Sequence, residues 1–129
     1  MATKKERLTE AEWRVMEFLW EKSPQNGREL TTALENYCGW NRSTTLTLLR
    51  RMENKGFVGS TSEGKKLFFP IVPREDAAVS EAQHLLGRVY KGSVSLMVSA
   101  LTEKQAIPQE EIDELYAILH QLEEGEKNA

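Results

Sequence analysis

Between Leu8 and Val72 the chain changes its hydrophobic period in a fixed order, and that order constrains the fold more than any single residue does. Three stretches carry apolar side chains three and four residues apart, the repeat of an amphipathic helix, and two short β-rich runs follow them. Thr9 and Glu12 are spaced as a capping box, with Leu8 and Trp13 at the staple positions around it. Trp13, Met16, Phe18, Leu19 and Trp20 then form a wide apolar face. Ser23-Pro24 ends this first helix, because the residue before proline avoids the α region. Asn26 and Glu29 open a second helix, about 27–37, whose inner stripe is Leu30, Ala33 and Leu34. Asn41 caps a third, about 42–54, and Gly56 closes it in a left-handed turn. Residues 57–61 and 66–72 read as strands around the tight turn Ser62-Glu63-Gly64-Lys65, which puts Lys65 and Lys66 at the tip of a hairpin.

Three helices followed by a basic-tipped hairpin describe a winged helix-turn-helix. The third helix has two unlike faces. Thr45, Leu48, Leu49 and Met52 share one side; Ser43, Thr47, Arg50 and Asn54 share the other, flanked by Thr44, Leu46 and Arg51. In a helix-turn-helix the second helix of the pair enters the major groove and its N-terminal residues reach base edges. The expected base contacts are therefore Ser43, Thr44, Leu46, Thr47 and Arg50, with Leu46 against a thymine methyl. Arg42, Arg51, Lys55, Lys65 and Lys66 are the expected phosphate contacts.

After Pro73 the pattern is helical throughout. This divides the chain into a winged helix-turn-helix domain (1–73) and a helical dimerisation domain (74–129), giving a mainly α fold with a small β-hairpin. Residues 75–89 form one helix and 93–102 a short one that is apolar on most sides. Pro108 introduces a last helix with acids in its first turn, where they meet the positive end of the helix dipole. A short helix that is apolar nearly all round must be buried, and one protomer of this size has too little body to cover it. A second copy is expected to do so, through Leu86, Val89, Tyr90, Val94, Met97, Val98, Leu101, Leu115, Ile118, Leu119 and Leu122.

The net charge of −3 argues at first sight against a polyanionic partner. Its distribution reverses that impression. Residues 40–66 hold six basic side chains against two acidic ones, whereas residues 100–129 hold two bases against eight acids. A duplex senses the local potential of the surface it touches. The opening MATKKERLTEAEW lacks the apolar core of a secretory signal, and no apolar run is long enough to span a bilayer, so a cytoplasmic protein without a membrane partner is expected. A single cysteine, Cys38, excludes an intramolecular disulfide and a multi-cysteine metal site, and reads as a small buried hydrophobe.

Other motifs fail on inspection. Gly59 to Lys66 nearly spells a phosphate-binding loop, but Lys66 stands where Ser or Thr is needed and a strand follows instead of a helix. Asn41-Arg42-Ser43 matches a glycosylation sequon that has no use without a secretory route. His84 and His120 have no ligand-spaced partners, so neither metal nor cofactor is expected. No nucleophile, base or carboxylate pair is arranged for catalysis, and no enzyme is expected. The rival to a DNA-binding protein is a winged-helix module that binds another protein.

The segments LTEAEWRVMEFLW, WNRSTTLTLLRRMENKG, EGKKLFFP, YKGSVSLMVSAL and EEIDELYAIL resemble the BlaI/MecI/CopY repressors over nearly the whole chain. The resemblance implies a homodimer held by its C-terminal helices, bound to a palindromic double-stranded operator and blocking transcription. Arg42 stands where many members have proline and Leu46 where many have a polar residue, so a different operator is expected. The β-lactam-responsive members are cut at an Asn-Phe bond; the matching bond here is Ala100-Leu101, and a sensor protease or its product is the further partner implied. The copper-responsive members carry a C-terminal cysteine cluster that is not found here, so copper sensing of that kind is not expected.

Overall fold

The computed structural model describes residues 7–127; the first residues of the leader reading lie outside the described residues. The elements run α1 (Glu10–Glu21), β1 (Gln25–Asn26), α2 (Gly27–Cys38), α3 (Arg42–Lys55), β2 (Val58–Ser60), β3 (Leu67–Pro70), α4 (Arg74–Val89), α5 (Val94–Lys104) and α6 (Gln109–Lys127). Two compact units result, one running to Ala82 and one beginning at Gln83. The division falls within α4, whereas composition places it at Pro73.

In the first unit the helix boundaries follow from capping chemistry. Glu12 N donates to Thr9 Oγ1 at 3.1 Å and Thr9 N to Glu12 Oε1 at 2.8 Å, so two otherwise unpaired amides of α1 are satisfied reciprocally. Asn26 and Glu29 repeat the device at the start of α2. Gly56 ends α3 at φ 87°, in the left-handed region that side chains with a Cβ avoid, and turns the chain into the hairpin.

The sheet has three antiparallel strands in the order β1-β3-β2. Val58 pairs with Pro70, Gly59 with Phe69 and Ser60 with Phe68, while Gln25 and Asn26 pair with Phe68 and Leu67. The two-residue β1 is absent from the sequence reading. It lies between helices and has no alternation long enough to register as a strand. Gln25 is nonetheless buried, and its amide donates to the carbonyls of Phe18 (3.0 Å) and Lys22 (2.6 Å), closing the end of α1.

The core gathers Val15, Met16 and Leu19 of α1, Leu30 and Leu34 of α2, and Leu48, Leu49 and Met52 of α3 with Val58 and Phe68 of the sheet. Trp20 Nε1 donates to Val72 O at 2.8 Å, and Arg74 grips Glu17 at 2.9 Å, so the start of α4 is fastened to α1. The Arg74 guanidinium holds the Glu17 carboxyl below the usual carboxylate range. What that pair adds to stability is therefore present above the ordinary Glu pKa and is lost as pH falls through the lowered one. Cys38 is half-buried, not fully enclosed, and Arg14 Nη1 stands 3.9 Å from its Sγ.

One buried charge stands apart. Glu12 is completely enclosed, and Lys55 of α3 reaches it, Nζ to Oε1 at 2.7 Å, while donating also to Arg7 O at 3.0 Å. An enclosed carboxylate stripped of its counter-charge is strongly destabilising. Lys55→Met should lower the unfolding free energy by about 3 kcal/mol in urea denaturation. A loss below about 0.5 kcal/mol, the usual size for an exposed ion pair, would show that the pair is a surface contact.

Candidate nucleic-acid interface

The interface is built on α3, the second helix of the α2–α3 pair. Asn41 caps it by accepting from Thr44 N at 2.9 Å, and Ser43 Oγ donates to the same oxygen at 3.0 Å. Thr45, Leu48, Leu49 and Met52 are buried, which fixes the rotation of the helix about its axis. Arg42, Ser43, Thr44, Thr47, Arg50 and Arg51 are exposed. Asn54 is exposed along the same outer stripe, so seven polar or basic side chains cover the face opposite the core.

Two expected contacts also have neighbours within the protein. Each residue advances about 100°, which places Leu46 and Lys55 on opposite flanks of the buried stripe. Leu46 is half-buried against the core, where its Cδ2 would stand 3.6 Å from a Cβ on Gly27. That is ordinary van der Waals distance, so one side of the leucine packs over Gly27 while the residue stays half-buried. Lys55 gives its ammonium to Glu12 and to the carbonyl of Arg7, as described above.

The hairpin supplies the remaining cations. Thr61 closes it: Thr61 N donates to Leu67 O at 2.9 Å, Leu67 N to Thr61 Oγ1 at 3.0 Å, and Thr61 Oγ1 to Lys65 O at 3.1 Å. Lys65 and Lys66 are exposed at its tip. Gly64 takes φ 64° in the turn, and β3 follows directly, so no helix N-terminus is present to complete a phosphate-binding loop. Lys66 Nζ lies 3.4 Å from Glu53 Oε1 and 5.3 Å from the centre of the Phe68 ring. Ser60 Oγ donates to Glu53 Oε2 at 2.7 Å. Sequence reading assigned no role to Glu53. Its signal was available only as an acid in the last turn of a helix, where the dipole disfavours it and a specific partner is therefore to be sought.

The second unit has a different surface. Among the described residues neither α5 nor α6 contains a buried one. Of the expected interface residues, Val89, Val94, Leu101, Leu115, Ile118, Leu119 and Leu122 are exposed, while Leu86, Tyr90, Met97 and Val98 are half-buried. Leu96 and Tyr116, which were not among them, are 47% and 70% exposed. Ala100 and Leu101 lie inside α5, so the bond between them is helical backbone. Among the described residues no group of three or more His, Cys, Asp or Glu side chains is placed to hold a metal, and no helix is long and apolar enough to cross a membrane.

Comparison with known proteins places this arrangement. The penicillinase repressor family profile matches residues 8–121. The methicillin resistance regulatory protein MecI of Staphylococcus aureus is 28% identical over 121 residues, covering 93% of this chain and 98% of its own length. The penicillinase repressor of Bacillus licheniformis is 30% identical over 116 residues, covering 89% of this chain and 91% of its own. Among solved structures, the DNA-binding domain of the repressor BlaI superposes with a TM-score of 0.52 at 27% identity, over 59% of this chain and 93% of that domain. The monomeric form of Bacillus licheniformis BlaI in complex with the blaP half-operator gives 0.50 at 28% identity, over 55% and 88%. With a profile spanning nearly all of α1 to α6 and a winged helix shared with BlaI, the chain belongs to the penicillinase repressor family, a family of winged-helix repressors and not of enzymes.

Proposed function

We propose that this chain represses transcription in the cytoplasm as a homodimer on a palindromic operator, with α3 of each protomer in the major groove of one half-site and the hairpin along the neighbouring backbone. The observation that carries the reading is the outer face of α3, polar and basic throughout while the opposite face is buried. Ser43, Thr44 and Thr47 are short enough to let the helix approach base edges, and Arg50 reaches a guanine edge. Arg42, Arg51, Lys65 and Lys66 take phosphates. A gel-shift titration tests this: with four such cations on each protomer, affinity should fall by about 10³–10⁵ between roughly 50 and 200 mM salt, and a flat response would refute it. Thr47→Ala should weaken binding to a duplex enriched from a random pool more than to random-sequence duplex, and Lys65→Ala should weaken both alike. Equal losses in the two variants would overturn the division between base and phosphate contacts.

The exposed apolar side chains of α5 and α6 support dimerisation. Exposed large apolar side chains in such number are normally covered by a partner, and a palindromic site pairs with a two-fold symmetric protein, its half-sites about 10 bp or a multiple apart. Leu101→Asp and Leu119→Asp each place a charge where desolvation is costly and should yield monomers by light scattering. A dimer of unchanged mass in both would exclude this surface as the interface.

Proteolysis between Ala100 and Leu101 is the proposed route of relief. Cleavage between Ala100 and Leu101 separates α6 from the DNA-binding unit, so two half-sites no longer bind as one ligand and the gain from linking them is lost. The bond lies within α5, so the protease must act on a locally opened turn. In derepressed cells a fragment ending at Ala100 should be found by mass spectrometry; full-length chain alone would exclude this route.

A further inference from the structure

Glu53 is the one acidic side chain shared between α3 and the hairpin. It lies three residues after Arg50, on the flank of α3 that faces the wing, and its side chain is 27% exposed. Its two oxygens make unlike contacts. Oε2 accepts from Ser60 Oγ at 2.7 Å in a half-buried setting, and Oε1 stands 3.4 Å from Lys66 Nζ, whose side chain is 58% exposed. The first is a short charge-assisted hydrogen bond of the strong kind. The second is a long, solvent-screened pair of the kind that contributes little.

Resting on the DNA-binding reading above, we propose that Glu53 is a positioning residue for the wing: it anchors β2 to α3 through Ser60 and holds Lys66 on a weak pair that a DNA phosphate displaces on binding. The asymmetry of the two contacts carries this. A phosphate offers Lys66 a full negative charge together with release of a condensed counterion, so the exposed Glu53–Lys66 pair yields while the Ser60 bond stays. Phe68 is buried, and its ring lies 5.3 Å from Lys66 Nζ, so the ammonium leaves Glu53 without leaving the wing. Glu53 does not touch DNA. It sets where the wing stands relative to the arginine-bearing turn of α3, and it lowers affinity by the amount needed to free Lys66.

Four variants of the full chain separate the two roles. Glu53→Gln keeps an oxygen for Ser60 and removes the charge facing Lys66. Ser60→Ala does the opposite. Lys66→Ala removes the displaced cation, and the Glu53→Gln/Lys66→Ala pair closes the cycle. Binding is read by fluorescence anisotropy against a duplex of about 30 bp, three helical turns, enriched from a random pool by the unmodified chain, at several salt concentrations. Circular dichroism melts confirm that each variant is folded. Glu53→Gln should tighten binding about two- to fivefold, the range of an exposed pair, with an unchanged salt slope. Lys66→Ala should weaken binding and reduce the slope by about one for each protomer bound. In the Lys66→Ala background the gain from Glu53→Gln should vanish, and Ser60→Ala should weaken binding with its slope intact. A gain from Glu53→Gln that survives without Lys66 would overturn the displacement, because it would report general repulsion between Glu53 and the duplex. A loss in Glu53→Gln equal to that in Ser60→Ala would overturn it also, leaving a purely structural bond. If the unmodified chain binds no duplex at any salt, the DNA-binding reading falls and this inference with it; binding without coupling between Glu53 and Lys66 removes this inference alone.

Discussion

The rotational setting of α3 decides which side chains the protein can offer to a partner, and it is held from three directions. From beneath, Thr45, Leu48, Leu49 and Met52 are packed into the core. Turning the helix by one residue, about 100°, would expose that stripe and bury arginine. Full burial of each large apolar side chain is worth about 1.5–3 kcal/mol, so the misrotated state is not populated. From one flank Lys55 is tied to the enclosed Glu12, and from the other Glu53 is tied to Ser60. Glu12 has a double duty: the oxygen that receives Lys55 also closes the capping box of α1. The start of the first helix and the end of the third are thus fixed by one carboxylate. Its second oxygen is buried without a hydrogen-bond partner, a cost that makes the Lys55 contact harder to dispense with.

Local chemistry made much of this unit legible before any coordinates. Thr9 with Glu12 and Asn26 with Glu29 mark two helix starts within a four-residue window, and Gly56 and Gly64 mark turns by a backbone angle that few residues tolerate. The two faces of α3 followed from period alone. What escaped was what depends on partners distant in sequence. Leu46 and Lys55 lie on the flanks of α3, where periodicity is neutral, and each has a neighbour that the local sequence does not announce: Gly27 for one, the enclosed Glu12 for the other. The strand β1 exists because β3 had a free edge to pair with, and two residues carry no pattern of their own. The division of the chain inside α4 has the same origin. Pro73 is a local signal, but Arg74 binds Glu17 and Arg7 binds Glu81, so the first turns of α4 are held to the first unit.

The second unit reverses the usual relation between sequence and burial. Its helices have the apolar content of a core, yet among the described residues none in α5 or α6 is buried within one chain. The proposed dimer accounts for that combination, with a second molecule supplying the other half of the core. For such a dimer the consequence for affinity is multiplicative. A single winged helix makes few base contacts, and linking two of them makes the second half-site a nearly intramolecular event, raising avidity by about 10²–10⁴ without a new contact. Specificity and regulation are then separable in the chain. In the proposed repressor the face of α3 selects the sequence, and the state of the helical unit selects whether two faces act together.

The distribution of charge completes that separation. A protein of net charge −3 is a poor ligand for a polyanion only if the duplex senses the whole molecule. The acids of 100–129 belong to α5 and α6, and the bases of 40–66 to α3 and the hairpin. Glu110 and Glu111 in the first turn of α6 also serve that helix by meeting its dipole. Within the basic segment only Glu53 and Glu63 oppose the trend. Glu63 lies in the exposed hairpin turn, whereas Glu53 is bonded on both oxygens. A carboxylate kept half-buried beside an otherwise basic surface is costly to retain unless it is needed for placement. Its two partners, Ser60 on β2 and Lys66 in the turn before β3, are the parts of the wing whose position relative to α3 would otherwise rest on backbone pairing alone.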